Sequence, residues 1–265
     1  MRIKPFFIVF LVLAGFTACA PDQPQATSRP LAEVVRQINP NPVLEGIEPR
    51  IRAAMNRSFL RKDAGPLTDI QQELSTVSSP QYARLVNYWS AYLDFQLAVF
   101  EKFHDNPTGS QTAIERGIAT LDEAAEKNVE ELNLLAFMLG FSTQFAEQAT
   151  QIAISDRAQA NVAAAMALNP DNLRTQYVTG CLDYYTPAEY GGRQMAEIHL
   201  RKATALPANA INSPYLPTWG KAEAYELLVK YYQETGRGTQ AKNVLDEGLA
   251  LYPDDHQLSL LYTEE

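Results

Sequence analysis

Apolar residues recur along this chain at steps of three and four, and three stretches repeat the same steps. Ala158, Val162, Ala165 and Leu168 are spaced by 4, 3 and 3. Ala196, Leu200, Ala203 and Leu206 repeat that spacing, and so do Ala241, Leu245, Gly248 and Leu251. Such steps track the 3.6-residue turn, so each set predicts one face of an α-helix. Each run ends at or beside a proline: Pro170, Pro207 and Pro253. The runs recur at intervals of 38 and 45 residues, measured between Leu168, Leu206 and Leu251. A period of that size marks stacked helical hairpins, an α-solenoid. The small residues in the pattern fit this, because two antiparallel helices approach closely only where one offers Ala or Gly to the other's bulky side chain.

The same pattern predicts helices upstream. Val43 to Lys62 and Leu67 to Val77 form a first pair, split by Asp63-Ala64-Gly65-Pro66. Ser79-Pro80 starts an aromatic-rich helix that runs to about Phe103. Asn106-Pro107-Thr108-Gly109 ends it, and helices follow at 112–127, 130–146, 152–168 and from about 170 to Tyr185. Arg193 to Leu206 is next. Pro207 to Pro217 carries Pro207, Pro214 and Pro217 with Asn209 and Asn212, and reads as a surface loop. Ala222 to Glu234 and Thr239 to Leu251 make the last hairpin, joined through Gly236 or Gly238 as the helix cap. Leu258, Leu260 and Leu261 predict a short closing helix. No period-two strand pattern persists. The expected class is therefore all-α, with irregular hairpins over 43–128 and regular repeats over 129–265.

The last hairpin resembles a tetratricopeptide repeat. The order Tyr225, Leu228, Val229, Tyr232, then Ala241, Leu245, Gly248 and Pro253 matches that family's large-small-aromatic signature. Val229 departs from it, standing where Gly or Ala is usual. Gly180 with Ala196, Leu200 and Ala203 fits the preceding repeat, whose inter-helix loop from Tyr185 to Gly192 is longer than the family's. Gly140 with Ala158, Val162, Ala165 and Leu168 fits the one before. Gly117, Leu121 and Ala124 keep the spacing further upstream, where Lys127 breaks it. The resemblance implies a scaffold that binds a protein or peptide in a concave groove lined by the first helix of each hairpin. On that basis Tyr177, Cys181 and Tyr184 face the groove from one repeat, and Glu223, Glu226 and Lys230 from the last. Tyr190, beside Gly191-Gly192, joins this candidate partner-binding set, because a tyrosine offers both apolar area and a hydroxyl. Packing into the core is the competing reading for each tyrosine.

The N-terminus adds a destination. Arg2 and Lys4 precede an apolar run from Pro5 to Ala18, shorter than the roughly 20 residues a membrane span needs. A basic start, an apolar centre and a small-residue end read as a secretion signal over residues 1–19. Phe16-Thr17-Ala18-Cys19 resembles a bacterial lipobox, with Cys19 as the lipidated first residue, although Phe16 replaces the usual Leu. Ala18-Cys19-Ala20 also fits ordinary cleavage after Ala20. The polar, Pro-rich stretch that follows favours lipidation and predicts a flexible tether over 20–42. The expected location is a membrane-anchored lipoprotein facing the periplasm, on the outer membrane rather than the inner, with a soluble periplasmic protein as the alternative.

Composition narrows the partners. The 265 residues carry a net charge of −9, which argues against nonspecific nucleic-acid binding. With Cys19 lipidated or lost, Cys181 is the remaining thiol, and no intrachain disulfide forms. His104, His199 and His256 are far apart and show no metal-ligand spacing. There is no P-loop, no strand-linked G-x-G-x-x-G and no G-x-S-x-G. Carboxylate pairs such as Glu130-Glu131 and Asp254-Asp255 read as solvated helix faces. The expectation is a protein without cofactor, metal or catalysis. The alternative is a small-molecule-binding accessory component of a transporter, which would need an enclosed, aromatic-lined pocket. A hydrolase on a helical frame ranks below both.

Overall fold

Polar residues at the helix starts set the frame. Asn106, Asn128, Asn172 and Asp255 each accept a backbone N–H of the following turn through the side chain, which satisfies donors a helix start otherwise leaves unpaired. The computed structural model describes residues 29–261. It contains α1 (Leu31–Val34), α2 (Ile47–Arg61), α3 (Gly65–Ser75), α4 (Ala83–Phe103), α5 (Pro107–Asp122) and α6 (Val129–Ser142). Then come α7 (Gln148–Leu168), α8 (Leu173–Tyr185), α9 (Ala196–Ala205), α10 (Lys221–Glu234), α11 (Gly238–Leu251) and α12 (His256–Ser259). No strand occurs among the described residues. The all-α expectation holds.

Five antiparallel hairpins, from α2/α3 to α10/α11, stack in chain order. The even-numbered helices α2 to α10 are the inner ones. Their starts lie along one edge: Arg84 of α4 donates to Glu131 of α6 at 2.7 Å, and Arg174 of α8 forks onto Glu130. Their ends lie along the opposite edge, where Phe59 of α2 meets Phe103 of α4 at 5.9 Å and Tyr184 of α8 meets Tyr231 of α10 at 6.4 Å.

The small positions work as the pattern requires. A Cβ on Gly180 would lie 2.9 Å from Leu200 Cγ, and one on Gly248 would lie 3.2 Å from Tyr225 Cβ. The first three residues of each repeated set are buried. The fourth ones are not: Leu168 and Leu251 are exposed and Leu206 is half-buried. Ten residues of α-helix fall about 80° short of three full turns, so the fourth side chain swings off the buried face.

Several boundaries differ from expectation. The stretch 20–42 is not tether throughout, because Leu31 is buried in the core and Tyr82 Oη donates to Asn39 O. The helix expected from Thr112 begins at Pro107, with Asn106 as its cap, because proline is well suited to the first turn. Residues Pro207 to Pro217 are not a surface loop. Tyr215, Leu216 and Pro217 are buried, and the segment crosses the inner face. The signal and Cys19 lie outside the described residues.

Candidate functional site

The segment 206–220, which joins α9 to α10, contains no helix or strand. It carries Tyr215, Leu216 and Trp219, too much apolar surface to leave in water, and it satisfies them by lying across the inner helices as a strap. Gly46 N, at the start of α2, donates to Pro214 O at 3.0 Å, and Asn41 N donates to Tyr215 Oη at 3.0 Å. Trp89 Nε1 of α4 donates to Tyr215 O at 3.2 Å. The Thr218 amide donates to Glu48 Oε2 of α2, and its hydroxyl donates to Glu48 Oε1 at 3.0 Å.

Trp219 is the anchor, 2% exposed. Its ring lies between Tyr92 of α4 at 6.0 Å and Phe137 of α6 at 5.7 Å, within 22° and 19° of parallel. Tyr177 of α8 meets it edge-on at 6.2 Å. Its Nε1 donates to Tyr88 Oη at 2.9 Å, so the one polar atom of the indole is satisfied where it is buried. Gly220 closes the strap with φ +103, a left-handed conformation that suits glycine.

Arg174 holds the other side. It is fully buried and forks onto Glu130, with Nη2–Oε1 at 2.8 Å. It also donates to Ala208 O at 2.9 Å, to Asn209 Oδ1 at 2.9 Å and to Trp219 O at 3.4 Å. A buried guanidinium is tolerated only with partners of this kind. Burial raises the pKa of Glu48 above its ordinary value, partly offset by the Thr218 amide and Arg52. Burial likewise raises Glu223.

The expected site residues divide. Tyr177 and Tyr184, expected to be partly exposed in the groove, are buried. Tyr177 is covered by Trp219 and Phe137. Tyr184 donates to Glu234 Oε1 at 2.7 Å beneath the Arg193 guanidinium, 5.0 Å from its ring. For both, the packing reading was the right one. Cys181 is buried with its thiol pushed up to about 12 by burial, so it does not form a thiolate near neutral pH. Glu223 is half-buried and accepts Gly220 N at 2.8 Å, which makes it a helix-capping group. Glu226 and Lys230 are half-buried and pair with each other one turn apart. Tyr190 is exposed, as expected of a contact residue. Trp89 and Phe100 of the aromatic-rich α4 are both buried, Trp89 under the strap.

What stays uncovered is the other edge. Phe59 and Leu60 end α2, Phe103 ends α4, and Phe145 follows α6. Tyr185 ends α8, with Tyr190 in the turn beyond. Leu60 is 84% exposed, Phe103 71%, Tyr185 68% and Tyr190 71%. Of these, Tyr190 alone was among the expected site residues. The others end predicted helices, a place where an aromatic residue is easily read as core.

No family model and no curated protein matches the chain. Among solved structures it is similar to a thermophilic tetratricopeptide protein of Thermus thermophilus, at 18% identity and a TM-score of 0.51. That match covers 80% of this chain and 95% of the other. The fold is thus tetratricopeptide-like, a helical scaffold. The HusA haemophore of Porphyromonas gingivalis also matches, at 20% identity and a TM-score of 0.46, over 69% of this chain and 94% of that one.

Proposed function

We propose that the chain is a non-catalytic scaffold of the bacterial envelope that binds a protein partner along the aromatic edge of its inner helices. The observation that carries this is the set of exposed Leu60, Phe103, Tyr185 and Tyr190 at or just beyond the ends of α2, α4 and α8. Scattered apolar residues are ordinary on a surface, but a set gathered along one edge marks an interaction surface. The proposed anchor at Cys19 fits the same arrangement. The chain enters the fold beside Asn39 and Tyr82, at the starts of the inner helices. A lipid ahead of that point would tether the scaffold from the edge opposite its aromatic one, leaving the aromatic edge free for a partner. The small-molecule alternative needs an enclosed aromatic chamber, and the space where one would form is filled by Trp219.

A photo-crosslinking residue placed at Phe103 or at Tyr190 in growing cells tests the reading. Both positions should yield the same crosslinked partner, whereas Asp171, near the opposite edge, should not. Absence of a product at both rim positions overturns the proposal. Cys19→Ser should move the protein out of the membrane fraction, since only weak, reversible association remains without acyl chains. Mass spectrometry of the mature N-terminus distinguishes a lipidated Cys19 from an unmodified chain beginning at Pro21.

A further inference from the structure

The strap is held the way a binding groove holds a peptide. Its backbone is read at five points: Arg174 on Ala208 O and on Trp219 O, Gly46 N on Pro214 O, Trp89 Nε1 on Tyr215 O, and Glu48 on the Thr218 amide. One large ring, Trp219, fills a slot whose walls are Tyr92 and Phe137 and whose floor is Tyr177. The slot also supplies the acceptor the indole needs, Tyr88 Oη. Recognition by aromatic anchors together with backbone hydrogen bonds is a recurrent mode for peptide ligands. The strap has no helix or strand of its own to keep it in shape. Pro207, Ala210, Asn212, Pro214 and Thr218 are exposed, so one face of the strap lies on the groove and the other lies in water.

We propose that the strap occupies a peptide-binding site in cis, and that the site's ligand in trans is a proline-flanked segment that turns as the strap does, with Leu216 N on Ser213 O, and bears a tryptophan-sized aromatic anchor. The proposal rests on the scaffold reading, but it concerns the half of the inner face opposite the aromatic edge. The segment from Ser213 to Gly220 shows the chemistry required of the partner: a proline three residues ahead of a second proline, and a tryptophan two residues beyond that. Proline restricts the backbone before binding, so less entropy is lost on binding. The strap competes with any such partner, and an occupied groove lowers the apparent affinity by the fraction of time the strap is docked.

The test uses a fluorescent peptide with the sequence of residues 213–220 and the full-length protein. Trp219→Ala removes the anchor from the strap and leaves Tyr88, Tyr92, Phe137 and Tyr177 in place. This variant should bind the peptide about 30-fold more tightly than the parent, because its groove is open for more of the time. A peptide with Ala in place of its Trp should bind neither protein. Tyr185→Ala/Tyr190→Ala should bind the peptide as the parent does, so failure of the rim reading and failure of this one are separable. A folded Trp219→Ala protein that ignores the peptide overturns the proposal. Should that variant not fold, hydrogen exchange on the unaltered protein decides. The Thr218 amide should exchange about 100-fold faster than the Val178 amide in α8, through opening of the strap alone. Equal protection of the two amides overturns the proposal.

Discussion

Gly248 and Glu48 show how one side chain, or the lack of one, decides a local outcome. A Cβ on Gly248 would sit 3.2 Å from Tyr225 Cβ and Cγ and 3.4 Å from Leu258 Cδ1, so there is no room beyond it. Gly248→Leu should overpack the contact of α10 with α11 and cost about 1–3 kcal/mol, read from thermal or urea unfolding. Unchanged unfolding would mean that these helices can separate freely. Glu48 makes the opposite kind of demand. Burial raises its pKa above the ordinary 4.5, so just above that value the folded chain keeps a proton that the unfolded chain has released. Stability from such a group is fully present below the unfolded value and is lost as pH rises through the folded one. Glu48→Gln should therefore flatten the fall in stability as pH rises above about 4.5. Asp94 and Glu223, raised in the same direction by burial, leave a residual slope. Urea midpoints at the ordinary 4.5 and at neutral pH check it, and an equal or steeper fall in the variant rejects the assignment.

The helices and the strap differ in how far their sequence reveals them. The helix pattern was legible because period and burial coincide: Ala196, Leu200 and Ala203 face the core, and Gly180 admits Leu200. The strap was not legible. Its prolines and asparagines are turn formers, and whether Tyr215 and Trp219 meet water depends on a groove built largely by residues far away in the chain. Tyr177 stayed open between packing and contact for the same reason: its place on the inner helix is local, but its cover comes from the strap. Arg174 gave no local signal either, because an arginine in a helix is normally a surface residue. Its environment makes it a sensitive point. Arg174→Ala leaves Glu130 buried without its partner and should cost about 3–5 kcal/mol in chemical denaturation. Adding Glu130→Ala should cost less than the two single changes together, because the charge left stranded is then gone. Full additivity would show that the two side chains do not act as a pair.

At the scale of the whole molecule, the strap changes the order in which the fold can be completed. A plain solenoid is linear: each hairpin touches its neighbours, ends fray, and folding can spread from any starting point. Here Tyr215 and Thr218 bond to Asn41 and Glu48, at sequence separations of 174 and 170 residues. The first hairpin is thus finished by residues that arrive near the end of the chain. A protein made from its N-terminus must wait for most of its length before α2 gains its last contacts, and such distant pairings slow folding. A version ending at Ala205 should accordingly melt earlier and over a broader range than the parent, by circular dichroism. If it kept the parent's single sharp transition, the first and last parts of the chain would not be behaving as one cooperative body.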